Sequence, residues 1–251
     1  MAEHLTGSET AFIEQMNKKA KELGMKNTNF VNTNGLDEEN HYSSARDVAI
    51  MSRELLNHPE ITKYTSIWTD ELRDGKFQLA NTNKLIRFYS GANGLKTGST
   101  SQALCCLSAS AKRDGMQLIA VVLGAPTSDK RFLSARMLLD YGFANYKINQ
   151  LVEKKEKICN VNIINGEEEM VRGIAKNNVN LLCEKNNSKD YRARVFVDDG
   201  IKAPVKKGDV LGYVEYVADG KVCGKVDIMS EKSVKKKGVG LIIKDLIVGF
   251  M

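Results

Sequence analysis

Two apolar runs, residues 103–111 and 116–124, meet around Asp114-Gly115, and this arrangement constrains the fold more than any other stretch. An Asp-Gly pair between two such runs favours a tight turn whose twist matches the flanking strands, which predicts an antiparallel hairpin. Residues 118–123 are apolar at every position, as expected of a strand covered on both faces. Just upstream stands Gly94-Leu95-Lys96-Thr97-Gly98-Ser99-Thr100, placed to pair with the hairpin as a further strand.

Helical patterns surround this sheet, so the expected class is α+β. Thr6-Gly7-Ser8-Glu9 has capping-box spacing, and Phe12, Met16, Ala20 and Leu23 then share one helical face until Gly24. Residues 27–35 (NTNFVNTNG) are too rich in Asn and Thr for a regular element. Ser44-x-x-Asp47 opens a second helix with Ala45, Val48, Ala49 and Leu55 inward; His58-Pro59 stops it, and Pro59 starts a short third one. Residues 129–141 predict a helix that packs Phe132, Ala135 and Leu139 and is closed by Gly142.

After Tyr146 the pattern changes. Over residues 158–228, short β-rich runs alternate with Asn165-Gly166, Asp199-Gly200, Lys207-Gly208 and Asp219-Gly220, the spacing of a small all-β module of hairpins. Beyond it, Val239, Ile242, Ile243, Leu246, Ile247 and Phe250 recur at helical spacing behind Lys235, Lys236 and Lys237. Such a segment is too short and too charged to span a bilayer. It fits an amphipathic helix lying in the membrane interface, with docking on its own protein as the alternative. The expected parts are therefore residues 1–146, 147–232 and 233–251.

The 251 residues, 42% of them hydrophobic, suffice for one large or two modest domains. A net charge of +6 is mild, and no aromatic-plus-basic recognition pattern accompanies it, so nucleic acid is not an expected partner. The five cysteines lack Cys-x-x-Cys spacing, which argues against zinc and thioredoxin-like chemistry and for buried free thiols. His4, His41 and His58 stand in no His-Glu-x-x-His pattern, and no Gly-x-Ser-x-Gly elbow occurs. No metal or cofactor is expected.

Lys96-Thr97-Gly98 on a strand matches the third signature of the penicillin-interacting serine enzymes, whose nucleophile lies in a separate Ser-x-x-Lys motif. The wider text NGLKTGST…LSASAKRDGMQLIAVVLGAP resembles the D-alanyl-D-alanine carboxypeptidases of the low-molecular-mass penicillin-binding proteins. IKAPVKKGDVLGYVEY (residues 201–216) is similar to the β-domain that follows their catalytic domain. DEENHYSSARD and NTNKL (residues 81–85) also look like family text; His41 in the first is expected to pack rather than catalyse, and the second reads as a polar loop.

The resemblance implies the C-terminal part of a β-lactamase/DD-peptidase-like domain, then a β-domain and a membrane-anchoring helix, on the extracytoplasmic face of a bacterial membrane. It implies a serine enzyme that trims terminal D-alanine from peptidoglycan stem peptides ending in D-Ala-D-Ala, through an acyl-enzyme, and that binds β-lactams. Lys96 would be the catalytic cation and would supply positive potential at the substrate. Thr97 would donate to the terminal carboxylate, Gly98 would permit close approach, and the Ser99 N–H would be an oxyanion donor. Arg131 would help hold the carboxylate, a solvated first-turn helix residue being the bland alternative. Where family members carry Gly-Tyr, this chain has Leu104-Cys105.

The chain has no Ser-x-Asn, and its only Ser-x-x-Lys is Ser233 to Lys236. Met1-Ala2-Glu3-His4 also lacks the regions that export needs. The expectation is an N-terminally truncated member, inactive alone, arising as a fragment, a split gene or a mis-called start. The alternatives are a non-catalytic cell-wall or membrane-surface module and a class A β-lactamase; the β-module and the tail argue against the latter.

Overall fold

The computed structural model describes residues 1–186 and 189–238, so the helix expected over 239–251 lies outside the described residues. The chain divides into two compact units, Met1–Asn145 and Tyr146–Met251.

The first unit opens with α1 (Ala2–Thr6) and α2 (Glu9–Glu22). Ser8, not Thr6, caps α2, its hydroxyl accepting from the Ala11 N–H at 3.1 Å. Thr6 is drawn into α1, where its own hydroxyl donates to the Ala2 carbonyl. Ser44 caps α3 (Ala45–Leu55), but the expected inward residues are only partly right: Ala45 and Leu55 are exposed. The side chains α3 buries are polar, Asp47 and Ser52. Asp47 accepts from the Asn27 N–H at 2.7 Å and the Thr28 hydroxyl at 2.8 Å, which fixes the Asn/Thr-rich loop on the helix. Ser52 shares a 2.7 Å hydrogen bond with Ser108.

A short α4 (Glu60–Thr65) leads to an exposed hairpin, β1 (Thr69–Leu72) and β2 (Phe77–Ala80), then to α5 (Leu85–Phe88). The main sheet follows: β3 (Ala92–Thr100), β4 (Leu104–Arg113) and β5 (Met116–Ala125), antiparallel in the order β3-β4-β5. Asp114 and Gly115 both take positive φ, 47° and 77°, as the hairpin reading requires. The strand covered on both faces is β4, buried from Leu107 to Ala111, because it is the central one. At the edge among the described strands, β5 is mostly half-buried, with Leu123 exposed.

α6 (Ser128–Asn145) packs on β4 and β5 and buries Phe132, Ala135, Leu139 and Phe143. It does not stop at Gly142. A Cβ there would sit 2.5 Å from a Leu118 methyl, so the glycine brings helix and sheet close rather than ending the helix.

The described residues of the second unit form strands, bridges and turns, with no helix among them. β6 (Tyr146–Val152) pairs with β9 (Val179–Glu184). The remaining strands, β7 (Lys157–Asn162), β8 (Met170–Ala175), β10 (Arg192–Val197), β11 (Val210–Ala218) and β12 (Lys221–Ser230), form a sheet in the order β10-β11-β12-β8-β7. Of the four turn signals, only Asp219-Gly220 is a two-residue hairpin turn, joining Ala218 to Lys221. One apolar cluster gathers Val161, Val171, Val205, Leu211 and Val234, a second Val152, Val179, Val214 and Val226.

Val234 alters one expectation. It forms an antiparallel bridge with Val205, and Lys236 bridges Gly166, so residues 233–236 belong to the β-module and do not open a helix. The thiols also differ from expectation: Cys105, Cys106, Cys159 and Cys183 are free but only half-buried, and Cys223 is exposed.

Candidate active site

Among the described strands β3 stands at an edge of its sheet, with β4 on one side only. Alternation along the strand buries Thr97 while Lys96, Gly98 and Ser99 are exposed. The Lys96 ammonium turns back on its own strand and donates to the Thr97 carbonyl. A Cβ on Gly98 would meet nothing within 4 Å, so the strand is open there to an approaching ligand. Ser99 Oγ lies 3.9 Å from the Cys105 thiol, a long contact at most.

Arg131 comes from the first turn of α6, and it is not solvated: it is 7% exposed. Its Nη1 donates to the carbonyls of Gly98 and Cys106, paired residues on β3 and β4, each at 3.1 Å. Nη2 donates to Ser128 Oγ, and the guanidinium lies 4.7 Å from the centre of the Phe132 ring. The Arg131 Nε–H is buried and has no hydrogen-bond partner among the described residues. Among the described residues no carboxylate is within ion-pair distance of Arg131 or Lys96. Two uncompensated cations therefore flank one strand, which favours an anionic ligand there.

The sequence reasoning undervalued two neighbours. Thr82 Oγ1 lies 2.6 Å from Thr97 Oγ1. Asp37, from the loop after α2, accepts from Ser101 Oγ at 3.0 Å and from the Gln102 N–H at 3.1 Å, tying that loop to the end of β3. Hydrogen bonding by the Thr100 hydroxyl first, then by the Gln102 N–H and Ser101, holds the Asp37 carboxyl below the usual carboxylate range. The segment around NTNKL gave the only sequence signal for Thr82, and nothing local marks Asp37.

A cavity of about 530 Å³ opens beside this junction, lined by Leu36, Asp37, His41, Tyr42, Thr100 and Gln102 among others. His41 serves packing as expected: its Nδ1 accepts from the Val31 N–H at 3.1 Å, and its ring meets Phe30 edge-on. Ser233, the serine of the lone Ser-x-x-Lys, is far from such a role. Its hydroxyl accepts from the Lys207 N–H, and Val234 beside it is sealed in the β-module. No cluster of metal-ligating side chains occurs among the described residues.

Residues 1–127 match the D-alanyl-D-alanine carboxypeptidase family, and residues 146–236 match the C-terminal domain of penicillin-binding protein 5. The chain belongs to the D-alanyl-D-alanine carboxypeptidase family, a family of serine peptidases.

It is 41% identical over 248 residues to the D-alanyl-D-alanine carboxypeptidase DacF of Bacillus subtilis, covering 97% of this chain and 64% of that protein. The crystal structure of penicillin-binding protein 5 from Haemophilus influenzae superimposes with a TM-score of 0.66 at 35% identity, over 94% of this chain and 69% of that one. Penicillin-binding protein D2 from Listeria monocytogenes, in its cefotaxime-bound form, gives 0.52 at 37% identity over 57% of this chain and 58% of that one. The chain thus spans somewhat less than two thirds of the length of the Bacillus relative.

Proposed function

We propose that this chain carries the substrate-carboxylate side of a serine-type D-alanyl-D-alanine carboxypeptidase that acts on peptidoglycan stem peptides outside the cytoplasm. The observation that carries the reading is the pair of cations without acidic partners among the described residues: Lys96, on the edge strand β3, and Arg131, bonded to the carbonyls of Gly98 and Cys106. A stem peptide adds to that edge as an extra strand. Its terminal carboxylate meets the Lys96 ammonium and the Thr97 hydroxyl, with the Arg131 charge behind Gly98. In this reading the Ser99 N–H serves as an oxyanion donor. The cavity beside Thr100 and Asp37 gives room for the rest of the peptide. A β-lactam carries the same carboxylate and is held in the same way.

Acylation needs more than this wall. A serine nucleophile requires a base against its hydroxyl, and no described serine at this sheet has a lysine amine there: Lys96 is engaged with the Thr97 carbonyl, and Ser101 donates to Asp37. In this reading the 251 residues bind and do not acylate.

Two measurements on the chain test it. Titration with an acetylated peptide ending in D-Ala-D-Ala, followed through the amide resonances of β3, is expected to give saturable shifts that its carboxamide analogue gives far more weakly. Lys96→Ala should weaken the carboxylate ligand about tenfold or more, since a charge-assisted contact is lost. Labelled penicillin should leave no stable adduct. Stoichiometric labelling under native conditions would move the acyl-accepting serine into this chain, with Ser99 and Ser101 examined first.

The second half of the reading is the membrane surface. No described helix is long and apolar enough to cross a membrane. The support is the sequence alone: residues 239–250 place an apolar face behind three lysines. Burying that face contributes about 25 cal/mol per Å², and each lysine adds about 1 kcal/mol near anionic lipid. Since Val234 and Lys236 are bridged into the β-module, a chain ending at Gly238 keeps that module whole. Loss of residues 239–251 should abolish sedimentation with anionic vesicles; equal partitioning of both forms would sink the anchor.

A further inference from the structure

The Thr97 hydroxyl has one proton and two claims on it. Thr82 Oγ1 lies 2.6 Å away, and either oxygen of the pair can be the donor. A carboxylate only accepts hydrogen bonds, so if Thr97 spends its proton on Thr82 it has nothing to offer an anionic ligand. We propose that Thr82 is a positioning residue of this site: it donates its own proton to Thr97 Oγ1 and so leaves the Thr97 O–H directed at the bound carboxylate. The proposal rests on the carboxylate-binding reading above and adds to it the group that sets the direction of the proton.

The loop is built to present that one hydroxyl. Asn81 Nδ2 donates to the carbonyls of Ile67 at 2.9 Å and Thr65 at 3.2 Å, and Asn81 Oδ1 accepts from the Asn83 N–H at 2.9 Å. Asn83 is 1% exposed; its Nδ2 donates to the Gly94 carbonyl at 2.9 Å, and its Oδ1 accepts from the Leu85 N–H at 3.2 Å. Both asparagines thus pin the loop, one to the end of α4 and the residues just after it, the other to β3. Thr82 between them is exposed, and its hydroxyl is held against Thr97.

With the site empty, the pair can run in either direction. An anion beside Thr97 selects one of them, because O–H···O⁻ bonds are roughly twice as strong as neutral ones. The Thr82 proton then polarises the Thr97 O–H further, as in any chain of hydrogen bonds.

The test compares Thr82→Val, which keeps the shape and removes the hydroxyl, with Thr82→Ser, which keeps the hydroxyl. Each full 251-residue chain is titrated with the acetylated D-Ala-D-Ala peptide and with its carboxamide, read through the Thr97 methyl resonance. Thr82→Val is expected to weaken the carboxylate ligand about five- to tenfold, the worth of one ordinary hydrogen bond lost from the chain that ends on the carboxylate. It should leave the carboxamide unchanged, and Thr82→Ser should return affinity to within about twofold of the parent. Unchanged carboxylate affinity in Thr82→Val overturns the proposal. So does an equal loss for both ligands, which would make Thr82 a structural prop only. A parent chain without preference for carboxylate over carboxamide overturns the underlying site reading, and the Thr82 role with it.

Discussion

The two units bury different things. The α/β unit holds eight buried polar or charged side chains among the described residues (Asn32, Asp47, Ser52, Asn83, Thr97, Ser108, Ser110 and Arg131), whereas the β-module holds one, Ser230. A buried polar group costs free energy unless it is paired, and in the α/β unit the pairs are long-range: Asp47 with Thr28, Ser52 with Ser108, Asn83 with Gly94, Arg131 with Gly98 and Cys106. Two of these bonds, from Asn83 and Arg131, end on the strand that carries Lys96-Thr97-Gly98. The difference teaches where function sits. The module made of two valine-rich clusters is held by apolar burial, and the unit that presents a site spends its interior on fixing one strand and the loops around it.

That contrast is breakable by mutation. Leu211, 1% exposed in a cluster with Val171, Val205 and Val234, should show the largest effect. Leu211→Ala is expected to cost the β-module about 2–5 kcal/mol through lost burial and a residual cavity, read by native-state hydrogen exchange in β11 and β12. Asp47→Ala in the α/β unit should cost less, about 1–3 kcal/mol, because it strands the Asn27 N–H and the Thr28 hydroxyl. Trp68, the chain's sole tryptophan, lies in that unit and reports its urea transition. An Asp47 cost larger than the Leu211 cost would mean that the polar interior carries stability as well as placement.

The same contrast explains what the sequence made legible. α2, the cap of α3, the 104–125 hairpin and the start of α6 follow from periodicity and local turn chemistry, which depend on neighbours a few residues apart. Residues inward on α3 were misjudged because apolar spacing cannot register a buried Asp47 or Ser52, whose partners lie 19 and 56 residues away. β1 and β2 escaped notice because all eight of their residues are exposed, so they have no core face to betray them.

At the site, Lys96, Thr97, Gly98, Ser99 and Arg131 were legible only through resemblance. The bland alternative for Arg131 failed on burial. Thr82 and Asp37 stayed hidden for a plainer reason: a Thr or an Asp in a loop has many local uses, and its partner 15 or 64 residues on leaves no mark in sequence.

The smallest expected effect separates the units by pH. Tyr89 is buried in the α/β unit and donates to Asp140 Oδ1 at 2.7 Å; burial first, then that hydrogen bond, pushes its pKa up to about 12. Tyr216 of the β-module is also raised, by burial and then by the charge of Glu156. For a phenol whose folded pKa exceeds its unfolded value near 10, the folded state holds the proton longer. Its contribution is therefore complete below about pH 10 and is lost as pH rises through the folded value. Tyr89→Phe should cost about 1 kcal/mol at pH 7, where one hydrogen bond is lost. The same substitution should flatten the fall of the Trp68 transition between about pH 10 and pH 12. Tyr216 lies in the other unit, whose unfolding Trp68 does not report, so Tyr216→Phe should leave that fall intact. If Tyr216→Phe flattens it as much as Tyr89→Phe does, the Tyr89–Asp140 hydrogen bond does not set the alkaline response of the first unit.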